Sequence, residues 1–228
     1  MDVSNGELLL NLFEAYGIEY IFCSPGTEWT PVWEGLLKRQ GKTGLKYISC
    51  RHEILAVSAA HGYAEATGRL PAVLLHSGVG VLMGAIAMRN ALSARVPMLI
   101  LSGETCEHCG DEETGPQGWQ WLGVLSDIGG PSSLVRDYVK WSNGVRTRDG
   151  LIDSVSRGAQ IALTAPRGPV YVSVPSELLL KCGTDLKIKP LPALVVPQPP
   201  TSSDLRKAAR ELIHSKNPII IADRAGRK

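Results

Sequence analysis

The sequence predicts an α/β fold: a doubly wound, mainly parallel sheet with helices on both faces, followed by the start of a second α/β domain. Three observations predict it. Short β-rich runs alternate with helical periodicities of ten or more residues as far as about Leu180. The run "GPVYVSVP" is apolar enough for a strand buried on both faces, as parallel strands are. The 228 residues, 44% hydrophobic and 20% charged, suffice for one complete domain and part of another.

The elements follow in order. Ser4 and Glu7 form an S-x-x-E capping box, Leu8, Leu9, Leu12, Phe13 and Tyr16 give the first helix one apolar face, and Gly17 is placed to end it. The strand run "IEYIFCSPG" stops at Pro25-Gly26. Then come a helix near Thr30 to Arg39, the strand "LKYISC", a helix from His52 to Thr67 closed by Gly68, the strand "PAVLLHS", a helix from about Gly80 to Ala94 and the strand "PMLILSG". Residues 104–131, rich in Gly, Glu and Trp, read as a long loop, and loops of that length are often functional. Regularity resumes with "DYVKWS", a helix through Ile152, Val155, Ala159 and Ala162, and the strand "GPVYVSVP".

The first domain is expected to span residues 1–183. Residues 184–201 carry five prolines and read as an extended linker. Residues 202–228 begin a central domain: Ser203 caps a helix through Leu205, Ala208, Ala209, Leu212 and Ile213, and "PIIIAD" reads as a buried strand. A lone helix and strand cannot bury their apolar faces, so this second domain is expected to be incomplete, with the chain a fragment or one part of a larger assembly.

Composition excludes several classes. A net charge of +2 without a dense Lys/Arg tract gives no footprint for nucleic acid. The N-terminus lacks a secretory pattern, so a cytoplasmic location is expected. Leu70 to Met88 is 19 residues without a formal charge, yet Pro71, His76, Ser77 and its glycines divide it into strand, turn and helix start, so no membrane span is expected. Cys23, Cys50, Cys106, Cys109 and Cys182 are odd in number and scattered, which argues against a disulfide framework. "TCEHCG" holds a C-x-x-C around His108, but no second pair completes a four-ligand metal set.

The candidate site lies at the C-terminal edge of the sheet, where doubly wound folds bind ligands. The loops "SPGTEW", "HSGVG" and "SGETCEHCG" end there, and their glycines let backbone approach a ligand closely. At the start of "RHEILAVSAAHGYAEATGR", Arg51, His52 and Glu53 precede a helix of mostly small residues. Glu53 has a plain structural account, a carboxylate in a first helical turn where the dipole favours it. His76 is either a histidine satisfied by backbone at a strand end or an acid or base near neutral pH.

Taken together, "SPG", "RHE" followed by "AAHGYAEATGR", "HSGVG", "NALSARVPMLILSGE", "VKWS" and "APRGPVYVSVP" resemble, in consistent order from about Glu7 to Val174, the N-terminal pyrimidine-binding domain of thiamine diphosphate-dependent enzymes. The relatives are the acetolactate synthase, benzoylformate decarboxylase and pyruvate oxidase group. The resemblance continues into the start of a central domain after Asp204.

The resemblance implies thiamine diphosphate as cofactor, with Mg²⁺ held by a Gly-Asp-Gly and a later Asn of a C-terminal domain absent from this chain; no metal ligand is assigned here. It implies that Glu53 hydrogen-bonds the aminopyrimidine ring and promotes loss of the thiazolium C2 proton, a role that needs a carboxyl held away from bulk water. Arg51 and His52 are expected to pack or pair near the junction. Pro25, Gly26 and Gly78 are the remaining expected cofactor-binding residues, and Thr27 and Ser77 the substrate-contacting ones. His61, Gln117 and Trp119 receive no role.

Acetolactate synthases usually carry a Thr-Ser-Gly-Pro-Gly-like sequence where this chain has "HSGVG". His76, 23 residues beyond Glu53, matches the spacing in benzoylformate decarboxylase, where the histidine handles protons. The resemblance therefore favours decarboxylation of a 2-oxo acid. Acetolactate synthase-like carboligation, a transferase reaction, is the first alternative, and a non-catalytic cofactor-binding or regulatory subunit of a split enzyme is the second. Relatives hold the cofactor between two subunits, so a homodimer or homotetramer is expected and the chain alone is expected to be inactive.

Overall fold

The computed structural model describes residues 2–39, 41–104, 130–184, 188–196 and 198–223. Two compact units divide the chain, Met1–Leu194 and Val195–Lys228. The first unit extends past the expected edge at residue 183, because Ile188 and Leu191 of the proline-rich stretch pack on its core.

The first unit begins with a short strand β1 (Asp2–Ser4) and helix α1 (Asn5–Ala15). The capping box forms: the Glu7 amide donates to Ser4 Oγ at 3.1 Å, and the Ser4 amide donates to Glu7 Oε2 at 3.2 Å. Then come β2 (Tyr20–Cys23), a 3₁₀ turn (Thr27–Trp29), α2 (Thr30–Lys38), β3 (Lys46–Ser49), α3 (Glu53–Thr67), β4 (Ala72–Leu75), α4 (Val79–Ser93) and β5 (Met98–Glu104). Gly68 ends α3 at φ +71°, the left-handed cap that glycine adopts without strain.

Beyond residue 130 lie α5 (Pro131–Leu134), a 3₁₀ turn (Arg136–Tyr138), β6 (Trp141–Gly144), α6 (Arg148–Leu163), β7 (Pro169–Pro175), α7 (Ser176–Leu180) and β8 (Cys182–Thr184). Within "DYVKWS", Asp137 and Tyr138 close a turn before Trp141 enters the sheet beside Val170. The two-stranded antiparallel pair β1–β8 carries no amphipathic signal and was not expected. It joins the ends of the domain, and Arg148 fastens it by donating to the Val3 and Thr184 carbonyls.

Six strands form one wholly parallel sheet in the order β3-β2-β4-β5-β7-β6. This is the doubly wound α/β architecture. Strand alternation sends Ile21, Leu74, Leu99 and Val172 to one face, against α1, α2 and α6, and Phe22, Val73, Ile100 and Tyr171 to the other, against α3 and α4. All seven residues of β7 are buried, as expected for a central parallel strand.

The order reverses between β2 and β4. From β2 the chain moves outward to β3, and from β4 it moves the other way to β5. The turns that leave β2 and β4 at their C-terminal ends therefore meet at the point of reversal, the edge of the sheet where such folds bind ligands.

In the second unit, α8 (Ser202–His214) is capped by Thr201, whose Oγ1 accepts the Asp204 amide at 3.1 Å, rather than by Ser203. The expected strand "PIIIAD" is not formed: Ile219, Ile220 and Ile221 are exposed, and a strand exists only when another strand accepts its backbone bonds. Among the described residues, no helix is long and apolar enough to cross a membrane.

Candidate active site

The candidate site is built from the turn after β2, the turn after β4 and the first turn of α3. "SPG" leaves β2 in extended conformation and folds at once into the 3₁₀ turn Thr27–Trp29. Within that turn Trp29 is fully buried, and its Nε1 donates to the Leu75 carbonyl at 2.9 Å. The neighbouring Glu28 has a side chain only 1% exposed. Its Oε1 accepts the Ser77 amide at 2.9 Å, and its two oxygens lie 2.8 and 3.0 Å from His76 Nδ1. The turn thus grips the chain on both sides of His76, at Leu75 and at Ser77.

Space for the Glu28 carboxylate depends on two glycines. A Cβ on Gly26 would stand 2.2 Å from Glu28 Oε2 and 2.5 Å from His76 Nδ1, and one on Gly103, in β5, would stand 2.3 Å from Glu28 Cγ. Any larger residue at either position would displace the carboxylate. The hydrogen bond with Glu28 is the main influence on His76 and raises its pKa above the ordinary histidine value; burial opposes this, and the negative charges of Glu28 and Glu53 add to it.

Glu53 enters from the N-terminus of α3. His52 is the N-cap, with its Nδ1 accepting the Ile54 amide at 3.2 Å, so the expectation of a local structural role for His52 has a definite form. The Glu53 side chain is 16% exposed, and one of its carboxylate oxygens lies 3.8 Å from His52 Nδ1. No hydrogen bond to its carboxylate comes from another described residue. A Cβ on Gly80 would lie 3.1 Å from Glu53 Oε1 and 2.9 Å from His76 Cβ. Glu53 and His76 therefore converge on one stretch of α4 backbone.

The other expected site residues sit on the same rim. Pro25 and Thr27 are exposed and Gly26 is half-buried; the Thr27 carbonyl accepts the Thr30 hydroxyl at 2.7 Å, but no hydrogen bond joins Thr27 to Glu53 or His76 among the described residues. Ser77 is buried, and Gly78, at φ +23°, is the N-cap of α4. Gln117, Trp119, Cys106 and Cys109 lie outside the described residues. His61 stands apart, facing Glu65 on α3 at 3.4 Å.

Glu28 was missed in the sequence. A signal was available, an acidic residue directly after a Pro-Gly loop at the sheet edge, but nothing local distinguishes a carboxylate that turns inward from one left in solvent.

The donor set fits the pyrimidine half of thiamine diphosphate. A mostly buried carboxylate, without a donor among the described residues, stands close to the backbone at Gly80. A diphosphate and metal would need a different set, and no group of three or more His, Cys, Asp or Glu able to hold a metal occurs among the described residues.

Over 224 residues the chain is 27% identical to an acetolactate synthase large subunit of Buchnera aphidicola, covering 96% of this chain and 37% of that protein. It is 28% identical to the acetolactate synthase large subunit of Haemophilus influenzae over 77% of this chain and 28% of that protein. It is likewise 28% identical to 2-hydroxyacyl-CoA lyase 2 of Danio rerio, over 76% of this chain and 26% of that protein. The chain thus spans little more than a third, at most, of the length of these relatives. Residues 3–117, half of the chain, match the model of the thiamine pyrophosphate enzyme N-terminal TPP binding domain, and the chain belongs to that family.

Proposed function

We propose that this chain supplies the pyrimidine side of the active site of a thiamine diphosphate-dependent enzyme that decarboxylates a 2-oxo acid. The observation that carries the reading is the convergence of Glu53 and His76 on Gly80 at the point where the strand order reverses. Bound thiamine diphosphate supplies an electron sink for breaking a bond to a former carbonyl carbon.

The residues of this chain do the rest. Glu53 accepts a ring N–H of the pyrimidine and holds or releases a proton at its carboxylate. Pro25, Gly26 and Gly78 bring backbone close to the cofactor, and Thr27 and Ser77 flank the substrate side. His76 exchanges a proton at Nε2, which has no hydrogen-bond partner among the described residues. Mg²⁺ and the diphosphate are held elsewhere in the holoenzyme. Val79, Leu82, Met83 and Ile86 recur at i, i+3, i+4 and i+7 and form an exposed apolar stripe on α4, which supports a homodimer or homotetramer that closes the site against water.

Carboligation is the second reading, favoured by the names of the acetolactate synthase relatives. The test is the full-length protein with thiamine diphosphate, Mg²⁺ and a panel of 2-oxo acids. CO₂ with the matching aldehyde supports decarboxylation; acetolactate from pyruvate supports the second reading. Bound cofactor with no CO₂ from any member of the panel overturns both.

A further inference from the structure

Glu28 is a carboxylate removed from solvent, in a slot that two glycines keep open, and it is spent on one imidazole and the amide that follows it. Such a group is costly to bury unless its partners are fixed. We propose that Glu28 is a positioning residue: it holds the proton of His76 on Nδ1 and leaves Nε2 as the nitrogen that exchanges a proton with the 2-oxo acid substrate. This inference rests on the functional reading above and adds to it the residue that sets how His76 is used.

The geometry defines the step. A carboxylate between 2.8 and 3.0 Å from Nδ1 accepts its N–H through either oxygen, so the ring is anchored at that end. His76 is partly exposed, with 36% of its side chain open, and its Nε2 has no hydrogen-bond partner among the described residues. In the cationic ring, the Nε2–H bond breaks as a bond from that hydrogen to the substrate forms. The ring becomes neutral with Nδ1–H still on Glu28, Glu28 does not change its charge, and solvent returns the proton to Nε2. Among the described residues, the charged groups that act on the ring are Glu28 from the turn after β2 and Glu53 from the first turn of α3. Trp29, anchored on Leu75, ties the turn that carries Glu28 to the end of β4 beside His76.

The test begins on the wild-type full-length protein without cofactor, by long-range ¹H–¹⁵N spectra of the histidine rings, with His76 assigned by its loss in His76→Gln. Above its titration, His76 is expected as the Nδ1–H tautomer; the Nε2–H tautomer would overturn the inference without any substitution in Glu28. In Glu28→Gln the His76 titration is expected to fall by about one pH unit or more, and the high-pH limb of kcat on the best 2-oxo acid to move down with it. An unmoved titration would overturn the inference. These spectra need no thiamine diphosphate, so absence of turnover would defeat the functional reading while the tautomer still decides the role of Glu28.

Discussion

His76 Nδ1 lies 2.8 Å from one oxygen of Glu28 and 3.0 Å from the other, although the two residues are 48 positions apart in the chain. The contact joins the turn after β2 to the turn after β4, across the place where the sheet reverses its winding. Its energetics should be visible in folding as well as in activity.

Glu28 raises the affinity of His76 for its proton in the folded state above the ordinary histidine value of 6.5. The folded protein therefore binds that proton more tightly than the unfolded chain, and the stabilisation is complete below about pH 6.5 and is lost as pH rises through the folded value. Urea melts of wild type and Glu28→Gln across this range should show the wild-type advantage shrinking with rising pH. An advantage that grows with pH would contradict the pairing.

Gly103 gives a steric test of the same slot. Its substitution by alanine places a Cβ 2.3 Å from Glu28 Cγ and 2.8 Å from Glu28 Cβ. Gly103→Ala should cost about 1–3 kcal/mol in urea unfolding and lower the His76 titration as Glu28 is displaced. Gly62→Ala, on α3 with nothing within 4 Å of the added carbon, is the control and should be stabilising by roughly 0.5–1 kcal/mol.

Cysteine reactivity tests the burial of the β2 and β3 ends. Burial pushes the Cys23 thiol up to about 12 and also raises that of Cys50, whereas Cys182 is exposed. Iodoacetamide labelling of the native protein near pH 8, followed by peptide mass analysis, should modify Cys182 and spare Cys23 and Cys50 until denaturant is added. Labelling of native Cys23 would show that this edge of the sheet is open.

Much of the fold was legible because its signals are local. The Ser4–Glu7 box, the glycine at 68 and the apolar runs of β4 and β7 each state their structure within a few residues. The pair β1–β8 was not legible, since three-residue strands at opposite ends of a domain carry no periodicity and gain their place from Arg148 and from α1. "PIIIAD" failed for the converse reason: its apolar run has strand character but no strand beside it among the described residues.

The site divides in the same way. Glu53 and His76 are placed by motif spacing, whereas Glu28 becomes visible only once β2 and β4 lie side by side and Gly26 and Gly103 leave room between them.

The most direct measurement is deuterium exchange at C2 of thiamine diphosphate bound to the full-length protein, in wild type and in Glu53→Gln. Fast exchange in the wild type that falls by about two orders of magnitude or more in the variant is the predicted result, with Glu53 as the group that acts on the pyrimidine. Exchange no faster than in free cofactor despite binding, or equally fast in both proteins, would contradict it and leave a cofactor-binding or regulatory chain.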